Sequence, residues 1–206
     1  LAKNCLTTAN LHELSKGIQE CRYLENLNLA QNFIGRHNFA GWWGSNHHPV
    51  SAIVKACRSL VVLNLENNLI DFVDIQQMFL DLNPTHPSLY ELNLSENAIT
   101  YIGKGFAKIY APPYEERMQI LLSFLALFKE LQVLKMENTG LSEQTFQPLI
   151  HHLKNMSPLH TLRLKLDSER SPFARHIREQ FQNEYGYLWD QLVMEGGDKI
   201  NKIRDR

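Results

Sequence analysis

The stretch LENLNLAQNFI, Leu24 to Ile34, returns with its apolar skeleton intact as LVVLNLENNLI, Leu60 to Ile70, and as LYELNLSENAI, Leu89 to Ile99. All three align without a gap on one pattern, L-x-x-L-x-L-x-x-N-x-I. A fourth copy, LQVLKMENTGL (Leu131 to Leu141), has Met136 at a leucine position and Thr139 at the asparagine position. A degenerate fifth, LHTLRLKLD, runs from Leu159 to Asp167. The L-x-L core of each copy alternates with period two, which predicts a short strand with one buried face. Upstream of each, the spacing changes. Counting back from Leu24 gives Cys21, Ile18, Leu14 and Leu11; from Leu60, Cys57, Val54 and Val50. From Leu131 the series is Phe128, Leu125, Leu121 and Met118, and from Leu159 it is Met156, Leu153, Leu149 and Phe146. Steps of three and four predict a helix with one apolar stripe. Neither the strand nor the helix buries its apolar face alone, so the units are expected to stack into a continuous core.

The residues at the asparagine position are Asn4, Asn32, Asn68, Asn97, Thr139 and Asp167, spaced by 28, 36, 29, 42 and 28. The pattern and the basic period of 28–29 resemble the ribonuclease-inhibitor-like class of leucine-rich repeats. The Cys5-Leu6-Thr7 tripeptide and the shared cysteine position at Cys21 and Cys57 belong to the same resemblance. It spans residues 1–167 and implies an α/β fold, a right-handed horseshoe segment with a parallel sheet on the concave side and helices on the convex side. It is specific for fold and says little of function. About five units are expected in residues 1–167, the first truncated at Leu1, because Leu1 to Leu6 read as the tail of a unit whose first half lies upstream. The irregular period and large insertions resemble a divergent array, such as a pathogen effector.

The opposite end has different signals. Ser171-Pro172 reads as an N-cap with proline in the first turn. Phe173, Ile177, Phe181, Leu188 and Leu192 form one apolar stripe ended by Gly196-Gly197. The expectation is a capping helix within residues 168–197 that shields the last strand, followed by a charged, solvated tail at 198–206.

The totals bound what such a chain does. Its 206 residues are 44% hydrophobic and 21% charged, with a formal net charge of −1, so no general attraction to nucleic acid or an anionic membrane arises from charge. The longest apolar run, Met118 to Phe128, is half of what a bilayer requires. Three cysteines without tight spacing point to a reducing compartment and a cytoplasmic location, the host cytoplasm for a secreted effector. Asn93-Leu-Ser and Asn155-Met-Ser match the glycosylation pattern, which is too short to carry weight.

Strand residues between the leucines would point to the concave face: Asn26, Asn28 and Ala30; Val62, Asn64 and Glu66; Glu91, Asn93 and Ser95; Val133, Lys135 and Glu137; Thr161, Arg163 and Lys165. The central row then reads Asn28, Asn64, Asn93, Lys135, Arg163, a ladder about 20 Å long at about 4.8 Å per strand. Along it the charge runs from neutral, through an acidic middle at Glu66 and Glu91, to a basic end at Lys135, Arg163 and Lys165. Any exposed strand face is polar for solubility; taken whole, this one reads as a surface for another protein with a matching charge pattern. The consensus asparagines Asn32, Asn68 and Asn97 should instead point inward and satisfy backbone groups, and Cys21 and Cys57 should fill the core on their helices.

The insertion FAGWWGSNHHP, Phe39 to Pro49, interrupts this frame. It leaves the array at the C-terminal end of a strand, before a helix that starts near Val50. Trp42 and Trp43 read either as protein-binding anchors on the rim or as rings folded back over a neighbouring core edge. His37, His47 and His48 lack the carboxylate or cysteine company of a metal site, so none is expected. The second insertion, Tyr101 to Glu116, is aromatic at Tyr101, Phe106, Tyr110 and Tyr114, and its Gly103-Lys104-Gly105 lacks phosphate-loop spacing. Pro112-Pro113 restart a helix. The two loops on one rim could frame a ligand between them.

No nucleophile elbow, metalloprotease, kinase, phosphate-loop or dinucleotide pattern appears, and no cofactor is expected. The reading is a protein-recognition module rather than an enzyme. The alternatives are a recognition arm of a larger enzyme such as a ubiquitin ligase or secreted effector, and a GTPase-activating leucine-rich repeat protein, for which no dedicated catalytic Asn or Arg can be picked out.

Overall fold

Leucine at every second strand position has one consequence above all: each strand needs an apolar layer on one side and tolerates water on the other. The computed structural model describes residues 1–18, 21, 23–35, 48–83, 88–100, 113–141, 143–153, 155–156, 159–165 and 191–195. In it five helices alternate with strands: α1 (Thr8–Ile18), β1 (Asn26–Asn28), α2 (Pro49–Ala56), β2 (Val62–Asn64), α3 (Phe72–Leu82), β3 (Glu91–Asn93), α4 (Tyr114–Leu125), β4 (Val133–Met136), α5 (Glu143–Leu153), β5 (Thr161–Lys165) and β6 (Gln191–Glu195). All the strands are parallel and lie in chain order in one sheet. Among the described helices, α1 packs on α2, α2 on α3, α3 on α4 and α4 on α5. The protein is therefore α/β, with its elements laid down in sequence.

The quoted copies occupy equivalent places. Leu27, Leu63, Leu92, Leu134 and Leu162 are register partners from β1 to β5, and all are buried. Leu29, Leu65, Leu94, Met136 and Leu164 form a second buried row two residues on. The helices answer with Leu11 and Ile18, Val50 and Ile53, Ile75 and Met78, Leu121 and Leu125, Phe146 and Leu149, all in the same core. Truncating one such leucine to alanine typically costs about 2–5 kcal/mol, so the apolar rows dominate the energetics.

The chain must next leave each strand without stranding buried amides. Asn97 shows how. Its Oδ1 accepts from Asn68 N and Ile70 N of the previous unit, each at 3.0 Å. Its Nδ2 donates to Leu65 O of that unit and to Leu94 O and Ser95 O of its own, at 2.8 to 3.1 Å. Asn32 repeats this towards Asn4 N and Leu6 N, and Asn68 Nδ2 reaches back to Leu29 O. At the fourth position the Thr139 hydroxyl donates to its own Met136 O, while its backbone carbonyl accepts from Thr100 N and Oγ1 of the previous unit. The residue before each of these, Lys3, Gln31, Asn67, Glu96 or Asn138, takes left-handed backbone with φ between 51° and 59°, a conformation that side chains other than Asn resist. The turn is held because so many bonds depend on it.

Close approach also dictates one glycine. A Cβ on Gly35 would sit 2.3 Å from Leu69 O and 2.4 Å from Ile70 N, while Gly35 N donates to Asn68 O at 2.7 Å. Helix starts use local caps: Asp71 accepts from Val73 N and Asp74 N, and Asp74 returns a bond to Asp71 N.

Two expectations need correction. Residues 191–195, placed by their apolar spacing in a capping helix, form strand β6, with Leu192 opposite Leu162. Trp189-x-x-Leu192-x-Met194 repeats Leu159-x-x-Leu162-x-Leu164 at a distance of 30 residues. It is a further copy of the strand motif that Trp and Met disguise. The rest of the expected helix, residues 168–190, and the tail lie outside the described residues. Cys21, expected in the core, is exposed, whereas Cys57 is buried with Sγ 3.8 Å from Ile18 O. Cys57 has α1 beside it, whereas Cys21 lies past the C-terminal end of that helix.

Removing the Asn97 carboxamide strands the N–H groups of Asn68 and Ile70 and takes the side-chain donor from Leu94 O, whereas Leu65 O and Ser95 O keep other donors. Asn97→Ala should therefore lower unfolding stability by about 3–5 kcal/mol, measured by urea denaturation. Gly35→Ala drives a methyl into backbone and should cost about 1–3 kcal/mol in the same measurement. An unchanged midpoint for either variant contradicts the account of the turn.

Candidate functional site

With the leucine face turned to the helices, the opposite face of the sheet carries the polar strand residues. Asn28, Asn64, Asn93, Lys135 and Arg163 are register partners across β1 to β5, in the order the sequence predicts. Their neighbours at the start of each strand, Asn26, Val62, Glu91, Val133 and Thr161, form a second row.

The three asparagines of the central row have a structural half that the sequence reading did not see. Asn28 Oδ1 accepts from Ala30 N, Asn64 Oδ1 from Glu66 N and Asn93 Oδ1 from Ser95 N, at 2.9 to 3.0 Å. Each strand ends at its asparagine, and the side chain takes the N–H two residues on, a habit of Asn at turns. The carboxamide plane is thereby fixed, with Nδ2 as its outer end. Asn93 is further committed, because its Nδ2 donates to Glu66 Oε2 at 3.0 Å and the residue is buried. Ser95 is buried as well, its Oγ accepting from Glu137 N.

The expected gradient from acidic middle to basic end is locally cancelled. Lys135 Nζ lies 2.5 Å from Glu91 Oε1, with both side chains 26% exposed. Arg163 Nε lies 3.9 Å from Glu137 Oε1. Acid and base face one another across neighbouring strands, and each such half-exposed pair contributes about 0.2–1 kcal/mol. Lys165 continues β5, but its side chain is outside the described residues.

A third row escaped the sequence reading. Val61 N donates to Glu25 O, Tyr90 N to Val61 O, Gln132 N to Tyr90 O and His160 N to Gln132 O, at 2.8 to 3.0 Å, so these residues line the strand entrances. His160 Nε2 is 3.3 Å from Tyr90 Oη and 3.1 Å from Gln132 Oε1, and its ring meets Tyr90 edge-on at 6.1 Å. The signal was present, since these are the residues just after the first leucine of each copy. Their types share no pattern, however, and only the register brings them together.

Trp42, Trp43, His37, His47 and the Tyr101 to Pro112 part of the second insertion lie outside the described residues. His48 is described, and is fully buried as the N-cap of α2. Its Nδ1 accepts from Val50 N, which places the ring proton on Nε2, 3.4 Å from Asp74 Oδ1. Its own N–H donates to Asp81 Oδ2 at 2.5 Å. This histidine bolts α2 to α3. Among the described residues no group of three His, Cys, Asp or Glu is arranged to hold a metal. None of their helices is long and apolar enough to cross a membrane.

No protein-family model matches the chain, and no curated protein matches it. The functional reading therefore rests on this face of the sheet.

Burial pushes the Cys57 thiol up from its ordinary range, with Cys21 as a smaller contributor in the same direction. Titration of the native chain with a thiol reagent at neutral pH should label Cys5 and Cys21 rapidly and Cys57 only on unfolding. Three equally fast thiols would contradict the packing of Cys57 against α1.

Proposed function

We propose that the chain is a leucine-rich repeat protein of the ribonuclease-inhibitor-like class, a right-handed solenoid that recognises another protein through its concave sheet face. The fold part is supported by the recurrence of one motif at register-matched places and by the buried asparagine bonds between successive units. The recognition part is carried by one observation: five polar residues in register across β1 to β5, three of them with carboxamides tied to the backbone. Such a surface loses little conformational freedom on binding, because its rotamers are already set. The insertions that begin after Gly35 and Thr100 follow β1 and β3 in the chain. Trp42 and Trp43 in the first would add anchors of the kind that dominate interfaces.

Steric blocking tests this without assuming the partner's charge. Val62 and Val133 are half-buried on the proposed face, and Val73 is exposed on α3. A protein captured from lysate by the native chain should be lost with Val62→Trp/Val133→Trp and retained with Val73→Asp, all three melting within a few degrees of one another. Capture that survives the double tryptophan variant contradicts the reading.

A further inference from the structure

The open face is not uniform. From β3 to β5 its polar groups engage one another, Asn93 with Glu66, Lys135 with Glu91, and Arg163 beside Glu137. A partner carboxylate arriving at Lys135 would replace that of Glu91, and exchanging one partly screened ion pair for another changes the free energy little. From β1 to β2 the situation differs. Asn28 and Asn64 use their oxygens on backbone N–H groups, and neither Nδ2 has a partner among the described residues. Asn26 is exposed and uses neither end of its carboxamide among the described residues. At the entrances of β2 and β3, Val61 and Tyr90 are 38% and 37% exposed, and Val62 is half-buried beside them. The exposed charges close to β1 are Glu25 before it and Lys3, whose backbone N–H donates to Ala30 O, of opposite sign, and the half-buried Glu66 carboxylate is held by Asn93 Nδ2.

Bare carboxamides beside half-exposed apolar groups match the chemistry of a polypeptide main chain, which offers the same N–H and C=O groups. We propose that the β1–β3 end of the face takes a short, uncharged, extended segment of a partner polypeptide. Its main-chain carbonyls accept from Asn28 and Asn64, its main-chain N–H reaches Asn26, and its apolar side chains rest on Val61, Val62 and Tyr90. Two strand spacings separate β1 from β3, about 10 Å, which about three extended residues span. The charged β4–β5 end then supports the sheet and is not the contact that decides binding. This proposal rests on the recognition reading above and narrows it to a place and a ligand chemistry.

The test is selection of a displayed random peptide library on the immobilised full chain, followed by affinity measurement for enriched peptides at low and high salt. Asn28→Asp/Asn64→Asp keeps the oxygen that caps Ala30 N and Glu66 N and replaces the outer donor with an acceptor, so the melting temperature serves as its folding control. Expected are peptides rich in apolar and uncharged residues, with affinities nearly independent of salt. They should lose about tenfold in affinity or more to the double Asp variant and change less than about twofold in Glu91→Gln/Lys135→Met. Peptides enriched in acidic or basic residues, weakened steeply by salt and lost in Glu91→Gln/Lys135→Met, would overturn the proposal while leaving recognition by this face standing. Peptides indifferent to both double variants overturn the two readings together. A selection that enriches nothing overturns the segment proposal, and the blocked-face capture then decides the wider reading on its own.

Discussion

Everything on the open face depends on how the chain leaves each strand. Beyond Leu29, Leu65 and Leu94 the backbone turns away from the ladder inside the molecule, where an unpartnered N–H or C=O costs more than a typical hydrogen bond contributes. Asn32, Asn68 and Asn97 meet that demand with a side chain that donates and accepts at once, each binding its own unit and the one before it. No hydroxyl or carboxylate has both capacities in that geometry. Thr139 illustrates the difference, bonding Met136 O within its own unit. These buried carboxamides tie β1 to β3 in register, and the register places the outward side chains beside one another.

A second set of asparagines serves the opposite surface. Asn28, Asn64 and Asn93 hold the N–H two residues on, so each strand ends with one asparagine outside and another inside, four residues apart in sequence. A residue that could be read as polar decoration is part of the turn. The consequence for recognition is rigidity: the outer Nδ2 groups are donors fixed by the fold, whereas Lys135 and Arg163 sit on longer stems steadied by Glu91 and Glu137. Lys135 and Arg163 have acidic partners within the sheet, and among the described residues the unspent hydrogen-bonding capacity of the face lies towards β1.

Much of the fold was legible in the residues. The alternating leucines announce strands, the three-and-four spacing announces helices, and inward asparagines follow from their need for several backbone partners at once. The misreadings have physical causes. Spacing of Phe173, Ile177, Phe181, Leu188 and Leu192 suits a helix, yet Gln191–Glu195 pairs with β5, because an open parallel edge offers more backbone bonds than local periodicity can reveal. Cys21 and Cys57 hold the same place in their copies yet differ in burial, Cys57 lying against Ile18 of α1 while Cys21 is exposed.

The sequence by itself determined which residues face the helices and which face away, since a period of two in the strands and of three to four in the helices leaves no other way to bury the leucines. It also determined the order of the central row, Asn28 to Arg163, because equal copies stack in register. Only the tertiary structure decided what those outward residues are worth. Whether Glu91 is a free acid or the partner of Lys135, whether Asn93 is available or consumed, and whether His48 is a ligand or a bolt depend on distances between units about 30 to 45 residues apart in the chain. No local pattern encodes such distances; they emerge when stacking sets strand beside strand about 4.8 Å apart.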